Sequence, residues 1–352
     1  MLSLQPPVPT GSFVFEEVFR PCPAFSRTNF LRLTASRIAL RHAAAELVAD
    51  GEEASKETIG AAVQAAEAYR ARWLPFWTKR LAGHAFAPPT KRETTTQVPL
   101  AFRWRVNVYG SEAVRAGAGS VEYTDPSPIA ETVCATLALA VALHRSGEFA
   151  RAGSLVAWTR ENVLPLFRPW IGRPGKEPHF LSEAFLGTVA LAIDGQRACK
   201  EALLWSVRGE PARATAVRMF RGARKFRDAH VLVPGEEALQ ATQRRVTASA
   251  YRYLSQAVAE ETSHMGVAVA CARQAVAEAA RSTNCPERTL AGHKGHLETL
   301  ERRNENEAGF QPVPEQGKLR LSFSRVATAV CVEERDEAAA GTVYTIVVPV
   351  SE

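Results

Sequence analysis

From Asn29 the apolar positions recur at spacings of three and four, so that Phe30, Leu33, Leu40, Ala44 and Leu47 share a stripe interrupted only by Arg37 and ending near Asp50 and Gly51. That period predicts a helix. A second helix starts near Ser55 and carries Ile59, Val63, Ala66, Tyr69 and Trp73 on one face, with Gly51 at the join, which predicts an antiparallel hairpin. The residues before Asn29 read as an extended lead-in that Phe13, Val14 and Phe15 pin to a core. Ala87 to Gln97, rich in proline and threonine, reads as a loop. After it the period becomes two: Val98, Leu100, Phe102, Trp104, Val106 and Val108 alternate with Pro99, Ala101, Arg103, Arg105 and Asn107. This predicts a half-buried strand, to be partnered by Phe13 to Val18 or by the C-terminal apolar runs.

From Ser127 the pattern is helical for most of the following chain. Ser127 and Pro128 suit the N-cap and first residue of a helix through Leu143, closed at Ser146 to Glu148. Further helices are predicted at Glu148 to Leu164, Leu181 to Val207, Glu210 to His230, Glu236 to Glu260, Ser263 to Arg281 and Glu287 to Asn306. Small residues such as Ala135, Ala138, Ala142 and Gly153 would let helix axes approach closely. The hairpins match tetratricopeptide units in length without a strict repeat. Beyond Gly309 the pattern predicts two strands joined by the polar stretch EERDEAAAG.

A chain of 352 residues allows two domains or one elongated helical domain. With 46% hydrophobic and 23% charged residues, it is neither a disordered polymer nor a membrane protein by composition. The N-terminus lacks a signal-peptide pattern, and the apolar run from Ile129 to Leu143, interrupted by Glu131, Thr132 and Thr136, is short for a bilayer core of about 30 Å. The six cysteines, at 22, 134, 199, 271, 285 and 331, form no CxxC pair and read as reduced, mostly buried thiols of a cytosolic protein. The net charge of +6 is modest and suits acidic protein segments or anionic lipid surfaces; nucleic acid is not expected.

No phosphate-cradling loop, dinucleotide fingerprint or nucleophile elbow is present. His293 and His296, in HKGH near Glu298, have a spacing that two metal ligands on a helix would use, and a metal-dependent enzyme is one alternative reading. The segment from Ala202 to His230 is more informative. Leu203, Leu204 and Trp205 end one helix; Ala216, Val217 and Phe220 give the next a narrow apolar stripe beside Arg213, Arg218, Arg221, Arg224, Lys225 and Arg227. An apolar strip framed by cations suits an acidic amphipathic helix, because burial supplies affinity while charge steers approach; core plus solvated face is the plainer reading.

Several segments in order resemble the BRO domain family of Alix-like, Bro-type endosomal proteins. PLAFRWRVNVYG from Pro99 is similar to the family's L-x-F-x-W strand, Glu183 to His230 to its central hairpin, and Tyr251 to Val276 to the helix pair that follows. LETLERRNENEAGFQPVPE, from Leu297, resembles the end of its helical core. The likeness runs from about Ser12 to Pro314. It implies a mainly α fold: an elongated, banana-shaped helical solenoid of tetratricopeptide-like hairpins with a small β-sheet. The whole chain, 1–352, would then be a single BRO-like domain, with its helical core at about 29–309 and extended strands at about 315–350.

The resemblance further implies a non-catalytic, cytosolic scaffold without cofactor or bound metal, recruited to endosomes. It would bind the C-terminal amphipathic helix of an ESCRT-III subunit of the Snf7 class through Leu203, Ala216 or Val217, and Phe220. A peripheral contact with anionic endosomal membrane, and a scaffold role in ambient-pH signalling, are further implications. Ala216 is smaller than the branched residue the family pattern leads one to expect, a loss of about 2 kcal/mol of contact. The family's proline-rich tail, second helical domain and prenylation box find no counterpart, and the resemblance does not extend to the strands after Pro314.

Overall fold

The computed structural model describes residues 4–11, 13–18, 26–83, 102–106, 122–125, 128–167, 181–232, 237–283, 285–306, 311–315, 317–325, 327–337 and 341–350. The chain divides into two compact units between Ile193 and Asp194. The loop expected at Ala87 to Gln97, the outer ends of the strand expected at Val98 to Val108, the Ser127 cap and Cys22 lie outside the described residues.

In the first unit, α2 (Arg27–Ala49) begins where the Ser26 side chain accepts a hydrogen bond from the Asn29 amide at 3.3 Å, occupying one of the free donors of the first turn. Its buried face is Phe30, Leu33, Leu40, Ala44 and Leu47, together with Arg37. Gly51, at a φ of +57° that an L side chain rarely adopts, turns the chain into α3 (Lys56–Gly83). Ala62, Ala66, Tyr69 and Trp73 are buried on α3, so the hairpin forms as its pattern predicts. The N-terminal segment forms β1 (Val8–Thr10) and a single helical turn, α1 (Phe15–Val18), with Phe13 and Phe15 buried.

The strand read from alternation is β2 (Phe102–Arg105): Phe102 and Trp104 are buried and Arg103 and Arg105 exposed. Its partners differ from expectation. β2 lies between β1 and β3 (Glu122–Asp125), antiparallel to both. Phe15–Val18 instead turns helical, and Phe13 just before it stacks on Phe102, ring centroids 4.4 Å apart.

The apolar run after Ser127 is α4 (Pro128–Ser146). Here length was the wrong criterion: the 18 residues Ile129–Ser146 reach a mean hydropathy of 1.2, enough by composition to cross a bilayer, but 89% of them are buried within the fold. Glu131 on α4 is completely buried and receives three donors. Arg37 Nε lies 2.9 Å from its Oε1, Tyr69 Oη also donates to Oε1, and Trp104 Nε1 donates to Oε2 at 2.5 Å. The remaining end of Arg37 donates to the Arg103 carbonyl at 3.2 Å. After Gly147, at φ +92°, the chain continues as α5 (Phe149–Trp158), a π-helical stretch over Thr159–Val163 and α6 (Leu164–Phe167). Gly153 on α5 has no neighbour within 4 Å of where a Cβ would stand, so it does not serve a close helix crossing.

Helix α7 (Glu183–Val207) spans the boundary between the units. The second unit continues with α8 (Ala212–Leu232), α9 (Glu237–Glu261), α10 (Met265–Ala280) and α11 (Glu287–Asn306), close to the predicted spans. Buried Asn304 fastens the chain that leaves α11: its Nδ2 donates to the Gln311 carbonyl at 2.9 Å and its Oδ1 accepts from the Gln311 amide at 3.1 Å. Three strands follow, not two, because EERDE extends a strand: β4 (Leu319–Ser324), β5 (Cys331–Glu337) and β6 (Gly341–Pro349). They form a separate sheet ordered β4-β6-β5, with β4 parallel and β5 antiparallel to β6. Val330, Ile346 and Val348 are buried in one core with Leu254, Val258, Val267 and Leu300.

Candidate functional site

The end of α7 is set by its backbone. The Gly209 amide donates to the Ser206 carbonyl at 3.1 Å and the Glu210 amide to the Trp205 carbonyl at 3.2 Å, with Gly209 at φ +83°. This pairing stops the helix and satisfies its last carbonyls. It leaves Leu203, Leu204 and Val207, spaced one and four apart, on an exposed turn, Val207 at 88% exposure. The Arg208 and Arg218 guanidinium groups lie 5.3 and 5.4 Å from the Trp205 ring centroid, within cation–π range.

On α8 the expected apolar stripe separates. Ala216 is 0% exposed and belongs to the core, which corrects its assignment to a contact surface. The helical period turns it inward, so Val217, half-buried, is the member of that pair that reaches the surface. Phe220 is committed to neighbours: its ring lies edge-on to Tyr251 at 5.2 Å and to Phe323 of β4 at 5.7 Å. Leu203 meets a different side of α9. It lines a cavity with Tyr253, and residues 251 and 253 stand about 200° apart around a helix.

The basic row is largely neutralised within the fold. Arg213 pairs with Glu261 at 2.7 Å and Arg218 with Glu210 at 2.6 Å. Arg224 and Arg227 share Asp228 at 3.8 and 3.4 Å, and Lys225 stands 4.0 Å from Asp194. Arg221 is exposed and has no ion pair among the described residues.

The cavity, of about 320 Å³, is lined by Leu203 of α7, Ser249, Arg252 and Tyr253 of α9, and Arg288, Thr289, Gly292 and His293 of α11. His293 is 3% exposed and its Nδ1 has no hydrogen-bond partner among the described residues. Burial, then Arg252 and His296, push its pKa down to about 4, so the ring is neutral at physiological pH. His296 faces elsewhere, its Nε2 being 2.8 Å from the Ser255 hydroxyl. Among the described residues no three His, Cys, Asp or Glu side chains converge as a metal site would require. Arg252, Tyr253, Arg288 and Gly292 carried no signal in the sequence, because three helices far apart along the chain bring them together.

The described cysteines are free. Cys134, Cys199 and Cys271 are buried, Cys285 is half-buried and Cys331 exposed. Burial pushes the Cys199 thiol up to about 12 and raises Cys271 as well, the opposite of what a nucleophilic thiolate needs.

No family model and no curated protein matches the sequence. Solved structures do match it. ALIX in complex with the SIVmac239 PYKEVTEDL late domain superposes with a TM-score of 0.58 at 15% identity, over 89% of this chain and 46% of that one. The chain thus spans a little under half of that ALIX chain. The ALIX BRO1–CHMP4C complex gives 0.56 at 16% identity over 89% and 90%. A Bro1 domain studied for endosomal targeting gives 0.50 at 11% identity over 89% and 87%. The chain has the BRO-domain fold, mainly α with small sheets.

Proposed function

We propose that the protein is a non-catalytic adaptor of the ESCRT endosomal sorting machinery, cytosolic and recruited to endosomes, in which residues 1–352 act as one BRO-like domain. Its partner is the C-terminal amphipathic helix of an ESCRT-III subunit of the Snf7 class. The exposed turn of Leu203, Leu204 and Val207, beside the exposed Arg208 and Arg221, is the observation that carries this reading. It offers apolar area to a helix with leucines at three and four spacings, and cations to that helix's acidic flank. The fold supports it, since the ALIX BRO1 domain with this fold was solved with CHMP4C. Val217 extends the surface along α8. Phe220, tied to Tyr251 and Phe323, contributes through the packing beneath it.

Calorimetric titration of the chain with a Snf7-class C-terminal peptide tests the proposal. Saturable binding is expected, and Leu203→Asp combined with Leu204→Asp should weaken it by about 2–4 kcal/mol, as loss of anchor residues does, with the thermal midpoint unchanged. Absence of binding by the unaltered chain would reject the reading.

A further inference from the structure

The cavity between the end of α7, α9 and α11 has the composition of an oxyanion site. Among the described residues its lining contains two arginines, a histidine, a threonine, a serine and a tyrosine, and no carboxylate. Elsewhere in this unit arginines such as Arg213, Arg218, Arg273 and Arg320 are paired with glutamates. Arg252 and Arg288 are exposed at the cavity with no ion pair among the described residues. A Cβ on Gly292 would stand 3.8 Å from Arg252 Nη1, in ordinary contact, so a longer side chain there would enter the space the guanidinium borders. His293, almost completely buried in the wall, has an Nδ1 with no hydrogen-bond partner among the described residues, although buried polar atoms are nearly always hydrogen-bonded. Arg288, Thr289, Gly292 and His293 belong to the first two turns of α11, the end of a helix whose dipole favours an anion.

We propose that this cavity binds a phosphomonoester, with the Arg252 and Arg288 guanidinium groups on its oxygens, Thr289 and the His293 ring supplying neutral donors, and Leu203 and Tyr253 flanking the esterified carbon. Two planar forks and two neutral donors match a dianion with three free oxygens better than a single carboxylate. The volume admits a small phosphorylated molecule or the headgroup of a phospholipid. Leu203 is shared with the docking turn, but the phosphate site does not depend on that reading and is tested without a peptide.

The full chain is titrated calorimetrically with glycerol 3-phosphate and with inorganic phosphate, and sedimented with phosphatidylcholine vesicles with and without phosphatidate. One saturable site is expected. Arg252→Gln and Arg288→Gln should each weaken it about tenfold or more. Gly292→Leu should abolish it by filling the cavity, and Arg302→Gln, at an exposed arginine outside the cavity and the docking turn, should leave it unchanged. Binding of the soluble ester without vesicle selectivity assigns a soluble ligand; phosphatidate-dependent sedimentation lost in Arg252→Gln assigns a lipid headgroup. No saturable binding of any probe, or binding equal in Arg252→Gln, Arg288→Gln and the unaltered chain, would overturn the proposal. Thermal midpoints of the variants separate loss of ligand from loss of fold.

Discussion

Arg37 and Glu131 each break an otherwise apolar pattern, and the structure joins the two exceptions. Burial opposes the Arg37 charge, yet the adjoining Glu131 and Tyr69 raise its pKa overall, while burial and Glu131 hold the Tyr69 hydroxyl protonated. The carboxylate is completely buried and its donors come from α2, α3 and β2. Removing one member leaves a buried charge uncompensated. Glu131→Leu should therefore destabilise the chain by about 3–5 kcal/mol in urea titration, whereas a surface glutamate such as Glu298 changed to leucine should cost little. His293 makes a second prediction at this scale. Its folded pKa, about 4, lies below the ordinary 6.5, so the unfolded chain binds the proton first as pH falls. Stability is fully present above 6.5 and declines between 6.5 and 4, by roughly 2–3 kcal/mol from this residue. His293→Gln should flatten that part of the pH profile of the unfolding free energy.

At the level of elements, helix identity follows from period, and helix spacing follows from glycines whose roles period does not show. α7 and α8 approach at Gly195 and Gly222: a Cβ on Gly222 would stand 2.7 Å from Cys199 Sγ and 3.0 Å from the Gly195 carbonyl, and one on Gly195 would meet the Phe226 ring at 3.0 Å. Gly222→Ala should cost about 1–3 kcal/mol by forcing these helices apart. Gly153→Ala, with open space around it, should gain about 0.5–1 kcal/mol, and thermal unfolding of the pair separates the two cases. The strands were harder to read than the helices. Alternation located β2, but β3 is four residues long and EERDE carries only polar side chains, so neither gave an apolar rhythm. Pairing, a long-range property, made both into strands.

Over the whole molecule, charge and the C-terminal sheet change meaning between sequence and structure. The basic excess pointed to the Arg208 to Arg227 segment, but most cations there answer carboxylates from α7, α8, α9 and the α7–α8 turn, leaving Arg208 and Arg221 there and Arg252 and Arg288 at the cavity without ion pairs among the described residues. The strands after Pro314 complete the core of the second unit. Val330, Ile346 and Val348 fill it and Phe323 abuts Phe220, so deleting residues 316–352 should expose that face and yield a chain that binds a hydrophobic dye and unfolds at a lower temperature. A deletion with an unchanged midpoint would show the sheet to be an accessory.

By itself the sequence determined the helices, their order, the first hairpin and the resemblance to BRO domains, because those rest on local period and on the order of local motifs. Only the tertiary structure decided that Ala216 is core, that Leu203 and Phe220 address different sides of α9, and that Arg252, Arg288 and His293 meet. Those facts depend on which face each helix turns to its neighbours, and contact energies between residues distant along the chain fix that choice.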